Sequence, residues 1–231
     1  MSDDSMPPSF SLPTMCSSDL PPHRYGEGGL WRAEDFLQAT HTSAKGSSIL
    51  PFHPITLLLD WDEQFLDRLR QIYLHGIFGR FSILVKGVFS EKDWEQALSL
   101  CYRSFCELSE ENREFNGYLP RGILIDCPMC LCWDSLPTCA DFYCLDYHRL
   151  CKLWGGGDSA KSRHDAEERM GRLLHRRRMT DPKLLFRQPP DAQACEFLLL
   201  HGIEEVFLPD AYIPKLRERL KKNSTENMEI I

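Results

Sequence analysis

DCPMCLCWDSLPTCADFYCLDYHRLC, residues 126–151, holds six of the ten cysteines in this 231-residue chain: Cys127, Cys130, Cys132, Cys139, Cys144 and Cys151. Even placement would put about one there. His148 lies in the same window. Clustered thiols are read either as a disulfide framework or as a metal site, and the compartment decides between them. The N-terminus, MSDDSMPPSF, is acidic where a secretory signal carries Lys or Arg, and no apolar segment follows it. The expectation is therefore an intracellular, non-secreted chain whose thiols hold metal.

Cys127 and Cys130 have the spacing at which a tight turn points two thiolates at one ion, and 141–154 reads as helix. On that reading Cys144 and His148 share a helical face and complete the set C-x2-C-x13-C-x3-H. Three thiolates and an imidazole suit tetrahedral structural Zn²⁺. Cys132, Cys139 and Cys151 are alternative ligands, and Cys151 is the best placed of them. No catalytic residue is assigned. There is no Glu in the window, and no H-x-E, Walker loop, G-x-S-x-G or H-E-x-x-H in the chain, so the zinc is expected to be structural and the protein not an enzyme.

Outside this segment the text divides at about residue 50. Residues 1–50 are rich in Pro and Ser and lack apolar periodicity, which predicts a mostly disordered arm. Within it, Leu30, Trp31, Phe36 and Leu37 form an apolar patch that is expected to have only weak order, the alternative being a small helix that docks on the core or binds a partner. Residues 51–231 read as one domain. Helices are predicted from 61 to Gly76, from Ser90 through Phe105, from 158 to 179, from 191 to Gly202 and over 210–222. Short strands are predicted at 78–89 and 122–125. The fold class expected is mainly α with a few short strands, α+β being the alternative: a single zinc-stapled helical domain.

The net charge is -7, which argues against nonspecific coating of nucleic acid. Residues 161–187 reverse the sign locally, with Arg172, Arg176, Arg177 and Arg178 near the end of a predicted helix. Such a cluster reads as a solvated helix end, a nuclear-import patch or a contact to DNA or RNA. The longest apolar run, at 55–59, is far too short to span a bilayer, so no membrane partner is expected.

The Asp126, Cys127, Cys130, Trp133, Asp134 pattern, with the upstream helix text YRSF at 102–105, resembles the accessory nonstructural NP proteins of parvoviruses. The likeness covers about 35 residues. The acidic, proline-rich arm departs from the basic arm of that family. The resemblance implies a small nuclear, non-enzymatic viral protein that supports viral DNA replication and transcript processing through viral or host nuclear proteins. The alternative is a zinc protein that contacts DNA or RNA through the basic helix at 169–183.

Overall fold

In ITLLLD, FSILVK, RGILI and FYCLD every position but the charged or small ones is apolar, so both faces of each run must be covered. A parallel sheet wrapped in helices covers both. The computed structural model describes residues 13–18, 29–42, 55–75, 81–132, 139–154, 160–176 and 182–228. In it these runs are staves of a closed barrel of eight parallel strands in sequential order. The strands are β1 (Thr14–Ser17), β2 (Gly29–Arg32), β3 (Ile55–Asp60), β4 (Phe81–Lys86), β5 (Arg121–Ile125), β6 (Phe142–Asp146), β7 (Pro182–Leu185) and β8 (Glu205–Leu208). Pairing of β1 with β8, from Thr14 opposite Glu205 to Ser17 opposite Leu208, closes the ring.

Helices follow most staves: α1 (Ala33–Thr42) after β2, α2 (Phe65–His75) after β3 and α3 (Glu91–Glu110) after β4. Both α4 (Tyr147–Leu153) and α5 (Ala160–Arg176) follow β6, then α6 (Ala192–Leu200) follows β7 and α7 (Ile213–Met228) follows β8. Between β5 and β6 the described residues hold a 3-10 turn, Pro128–Cys132, and no α-helix. This is a (β/α)8-type barrel with a reduced helical layer among the described residues. Its larger core lies between staves and helices, where Leu57, Leu59, Ile83, Ile123, Leu145 and Phe186 meet Phe65, Leu69, Trp94 and Met170. A second core fills the barrel itself: Leu30, Leu58, Leu84, Leu124, Cys144, Leu185 and Phe207.

The mainly helical expectation is thus corrected, and so, for residues 13–18 and 29–42, is the disordered arm. β1, β2 and α1 come from the 1–50 stretch, and Trp31, Phe36 and Leu37 are buried in the core. The rest of that stretch lies outside the described residues. The predicted helix at 141–154 is a strand followed by a helix of about two turns. Several helical readings do match. Ser90 caps α3 by accepting from the Asp93 amide at 3.2 Å, while Asp93 accepts from the Phe89 amide at 3.1 Å. Asp191 caps α6, accepting from the Ala194 amide at 2.9 Å, and Gly202 leaves that helix at φ +61. No described helix is long and apolar enough to cross a membrane.

Inside the barrel the Phe142 ring lies on Gly122 of the neighbouring stave. A Cβ at that position would sit 2.4 Å from the ring. Gly122→Ala should therefore cost about 1–3 kcal/mol by overpacking. An unchanged urea midpoint would show that the ring has somewhere else to go.

Candidate active site

Because all eight strands run the same way, their last residues open on one end of the barrel, the end at which barrels of this kind present reactive side chains. Side chains alternate along a strand, so the inward residues two beyond the interior leucines reach the mouth together. Six consecutive staves place a charge there: Arg32, Asp60, Lys86, Asp126, Asp146 and Arg187. Lys86 Nζ lies 3.2 Å from Asp60 Oδ1, on the adjacent stave. Arg187 donates through Nε to Asp146 Oδ2. Arg149 of α4 turns back to Asp126, with Nε 3.0 Å from its carbonyl oxygen and 3.5 Å from Oδ2.

The two aspartates differ in what they can do. Asp146 has no exposed surface. It holds Arg187 and also caps α4, accepting from the Arg149 amide at 3.2 Å, which makes it a positioning group. Asp126 keeps 5% of its surface exposed. Burial raises its pKa, the nearby Asp146 charge adds to the rise, and Arg149, Lys86 and Arg187 only partly oppose it. A carboxyl shifted in this direction at the mouth of a barrel is suited to giving and taking a proton.

Beside these groups is a cavity of about 470 Å³. Ser18, Arg32, Asp35, Lys86, Arg187 and Pro209 stand round it, over Leu30, Leu58 and Leu185. Its size falls in the range of small-molecule sites. Three of its charged lining groups are cations and one is a carboxylate. Lys86 and Arg187 each keep an aspartate at the back, whereas Arg32 has no acidic partner among the described residues.

At the opposite end, Lys183 pairs with Glu205 and sits 4.7 Å from the centre of the Phe142 ring. Cys16 donates to Glu205 at 3.7 Å, and burial with that carboxylate raises the thiol to about 12. Outside the barrel, behind Asp146, a polar network ties three helices together. Arg163 Nη2 donates to Asp191 Oδ1 at 2.6 Å and to Tyr147 Oη at 2.8 Å. Tyr147 donates to Glu167, which also accepts from Gln193.

Asp191 is held down at about 2, chiefly by its bond to Arg163. Its folded-state pKa lies below the ordinary 3.8, so the stability it contributes is present above 3.8 and is lost as pH falls toward 2. Asp191→Asn should be less stable than the parent at pH 6, and the difference should close between pH 4 and 2. A gap in urea midpoint that stays constant over that range would refute the pairing as its source.

The predicted zinc ligands do not assemble. Cys144 is in β6 and faces the barrel interior, whereas His148 is on α4 outside the barrel, its ring 5.5 Å from that of Phe186. Their four-residue spacing crosses a strand–helix junction, so the shared helical face does not exist. Cys127 and Cys130 do share the turn after β5, but the Cys130 thiol donates to the Val88 carbonyl. Burial raises Cys130 and Cys151 to about 12 and Cys144 well above its usual value, the direction expected of thiols packed among apolar groups. Cys132 and Cys139 are exposed. Among the described residues no three His, Cys, Asp or Glu side chains converge as a metal group. In the basic stretch, Arg172 pairs with Glu168 on its own helix. The Arg176 side chain, Arg177 and Arg178 lie outside what is described.

No family model and no curated protein matches the chain. Solved structures do. A citrate lyase from Burkholderia xenovorans LB400 superposes with a TM-score of 0.54 at 12% identity, over 81% of this chain and 63% of the lyase. An HpcH/HpaI aldolase from Desulfitobacterium hafniense DCB-2 aligns at a TM-score of 0.39 and 10% identity, over 88% of this chain and 92% of the aldolase. This chain thus spans less than two thirds of the citrate lyase's length, and at 12% identity that likeness is one of fold. The expected zinc-stapled helical domain, read as a non-enzymatic accessory protein, is corrected by this likeness of fold. The chain is a parallel barrel similar in fold to a lyase, with a ring of charge at its open end.

Proposed function

We propose that this chain is an enzyme that carries out acid–base chemistry of the lyase kind on a small organic anion at the barrel mouth. The observation that carries the reading is the charged ring on six consecutive staves beside a cavity lined by Arg32, Lys86 and Arg187. Cations fixed there attract an anionic substrate and stabilise negative charge that develops when a neighbouring carbon loses a proton or a bond. Asp126 is the proton carrier. Asp146 and Arg149 hold the cation and the carboxyl in place. The citrate lyase neighbour, by its name an enzyme of organic acids, supports the same class.

The test is incubation of the full chain in D2O with a panel of small hydroxy- and oxo-acids and their phosphorylated counterparts, followed by proton NMR. Exchange or cleavage of at least one compound, lost in Asp126→Asn, is expected. A folded protein that leaves the whole panel untouched would overturn the reading. Nuclear residence is a separate proposal that rests on the clustered charge of Arg172, Arg176, Arg177 and Arg178. Retention of a tagged protein in the nucleus after the last three are changed to Ala would dismiss that cluster as the import element.

A further inference from the structure

We infer that the anion bound at the mouth is a phosphate monoester, its phosphoryl group held by Arg32, Arg187, Lys86 and the Ser18 hydroxyl. This inference rests on the mouth being an anion-binding active site and goes on to name the substrate class. The first reason is the number of donors left unused. Arg187 bonds Asp146 through Nε and, among the described residues, makes no bond through its terminal nitrogens at the cavity it lines. Among the described residues Lys86 has one carboxylate partner, which leaves further N–H donors. Arg32 lines the cavity and has no acidic partner among the described residues. One bidentate arginine already satisfies a carboxylate. Two arginines and a lysine at one cavity supply more donors than a carboxylate accepts.

The second reason is direction. These donors come from the ends of β1, β2, β4 and β7, so they approach the cavity from several sides of the mouth. A planar carboxylate accepts mainly in its own plane, whereas a phosphoryl group offers three oxygens pointing three ways. Its charge of about -1.5 to -2 at neutral pH also suits a cavity with three cations and one carboxylate. The carboxylates behind Lys86 and Arg187 aim the cationic heads without removing their free N–H groups. Leu30, Leu58 and Leu185 beneath give the organic part of the ester an apolar seat.

The experiment is titration calorimetry of the full chain with glycerol 3-phosphate, inorganic phosphate, malonate and acetate, all at one ionic strength so that general screening is constant. The phosphate ester is expected to bind at least about tenfold more tightly than malonate, and Arg32→Ala and Arg187→Ala each to weaken it by at least about tenfold. Arg172→Ala, on the outer face of α5, should leave it unchanged. Arg32→Lys keeps the charge, removes the fork and covers the case in which the alanine variant does not fold. Malonate binding as tightly as the ester, with loss in the arginine variants, would overturn the phosphate assignment and leave the mouth as an organic-acid site. Failure of every anion to bind the folded protein would overturn the anion site itself.

Discussion

Asp126→Asn should lower turnover in the D2O assay by about 10²–10⁴-fold, the range in which a positioned proton carrier contributes. Asparagine keeps the shape of the side chain and an oxygen for Arg149, but it cannot exchange a proton. The same replacement should not lower the melting temperature. Burial disfavours the ionised form of Asp126, so a neutral side chain of equal size relieves a cost. Arg149 is half exposed and can return its charge to water. Lost activity with retained or raised stability separates a reacting carboxyl from a structural one. A variant that is both inactive and strongly destabilised would mean that Asp126 serves the fold.

Tyr147→Ala should be among the most damaging single changes to stability. Tyr147 has no exposed surface, and its ring meets Phe186 at 5.3 Å and Phe197 at 5.6 Å between centroids. Truncating a buried aromatic ring costs about 3–5 kcal/mol, a large part of the roughly 5–15 kcal/mol that holds a typical domain together. Tyr147→Phe isolates the hydroxyl, which donates to Glu167 and accepts from Arg163, and should cost about 1–3 kcal/mol. Urea midpoints at an unchanged slope measure both changes. Equal losses in the two variants would place the weight on the polar network rather than on the ring.

The parts of this fold that are legible in the sequence have local signals. Ser90 with Asp93, and Asp191 with Gly202, mark helix ends by hydrogen bonds within a few residues, and FSILV is β-branched enough to read as a strand. The staves that were missed are runs of four to six residues, apolar on both faces, and a doubly buried strand carries no alternation to set it apart from a buried helix. FYCLDYHRLC was misleading for a further reason. Cys144, His148 and Cys151 keep helical spacing across the junction where β6 becomes α4.

The site left a trace that spacing motifs do not register. GLWR, ITLLLD, FSILVK, RGILID, FYCLD and KLLFR are apolar runs that each close on a charge, and in a parallel barrel those charges meet at one end. The cysteines are close in sequence but are divided among strand, turn and helix. The mouth residues Arg32 and Arg187 come from strands far apart in the chain, and only the topology unites them.

The seam between β1 and β8 bears on how this molecule is made. Cys16 and Glu205 touch across it although 189 positions separate them. Until the ribosome has released the final stave, the growing sheet has two raw edges, β1 on one side and β7 on the other, each able to pair with a stranger. Contacts so remote in the chain form slowly. The nascent polypeptide therefore passes through a long sticky interval that ends only when its last strand arrives.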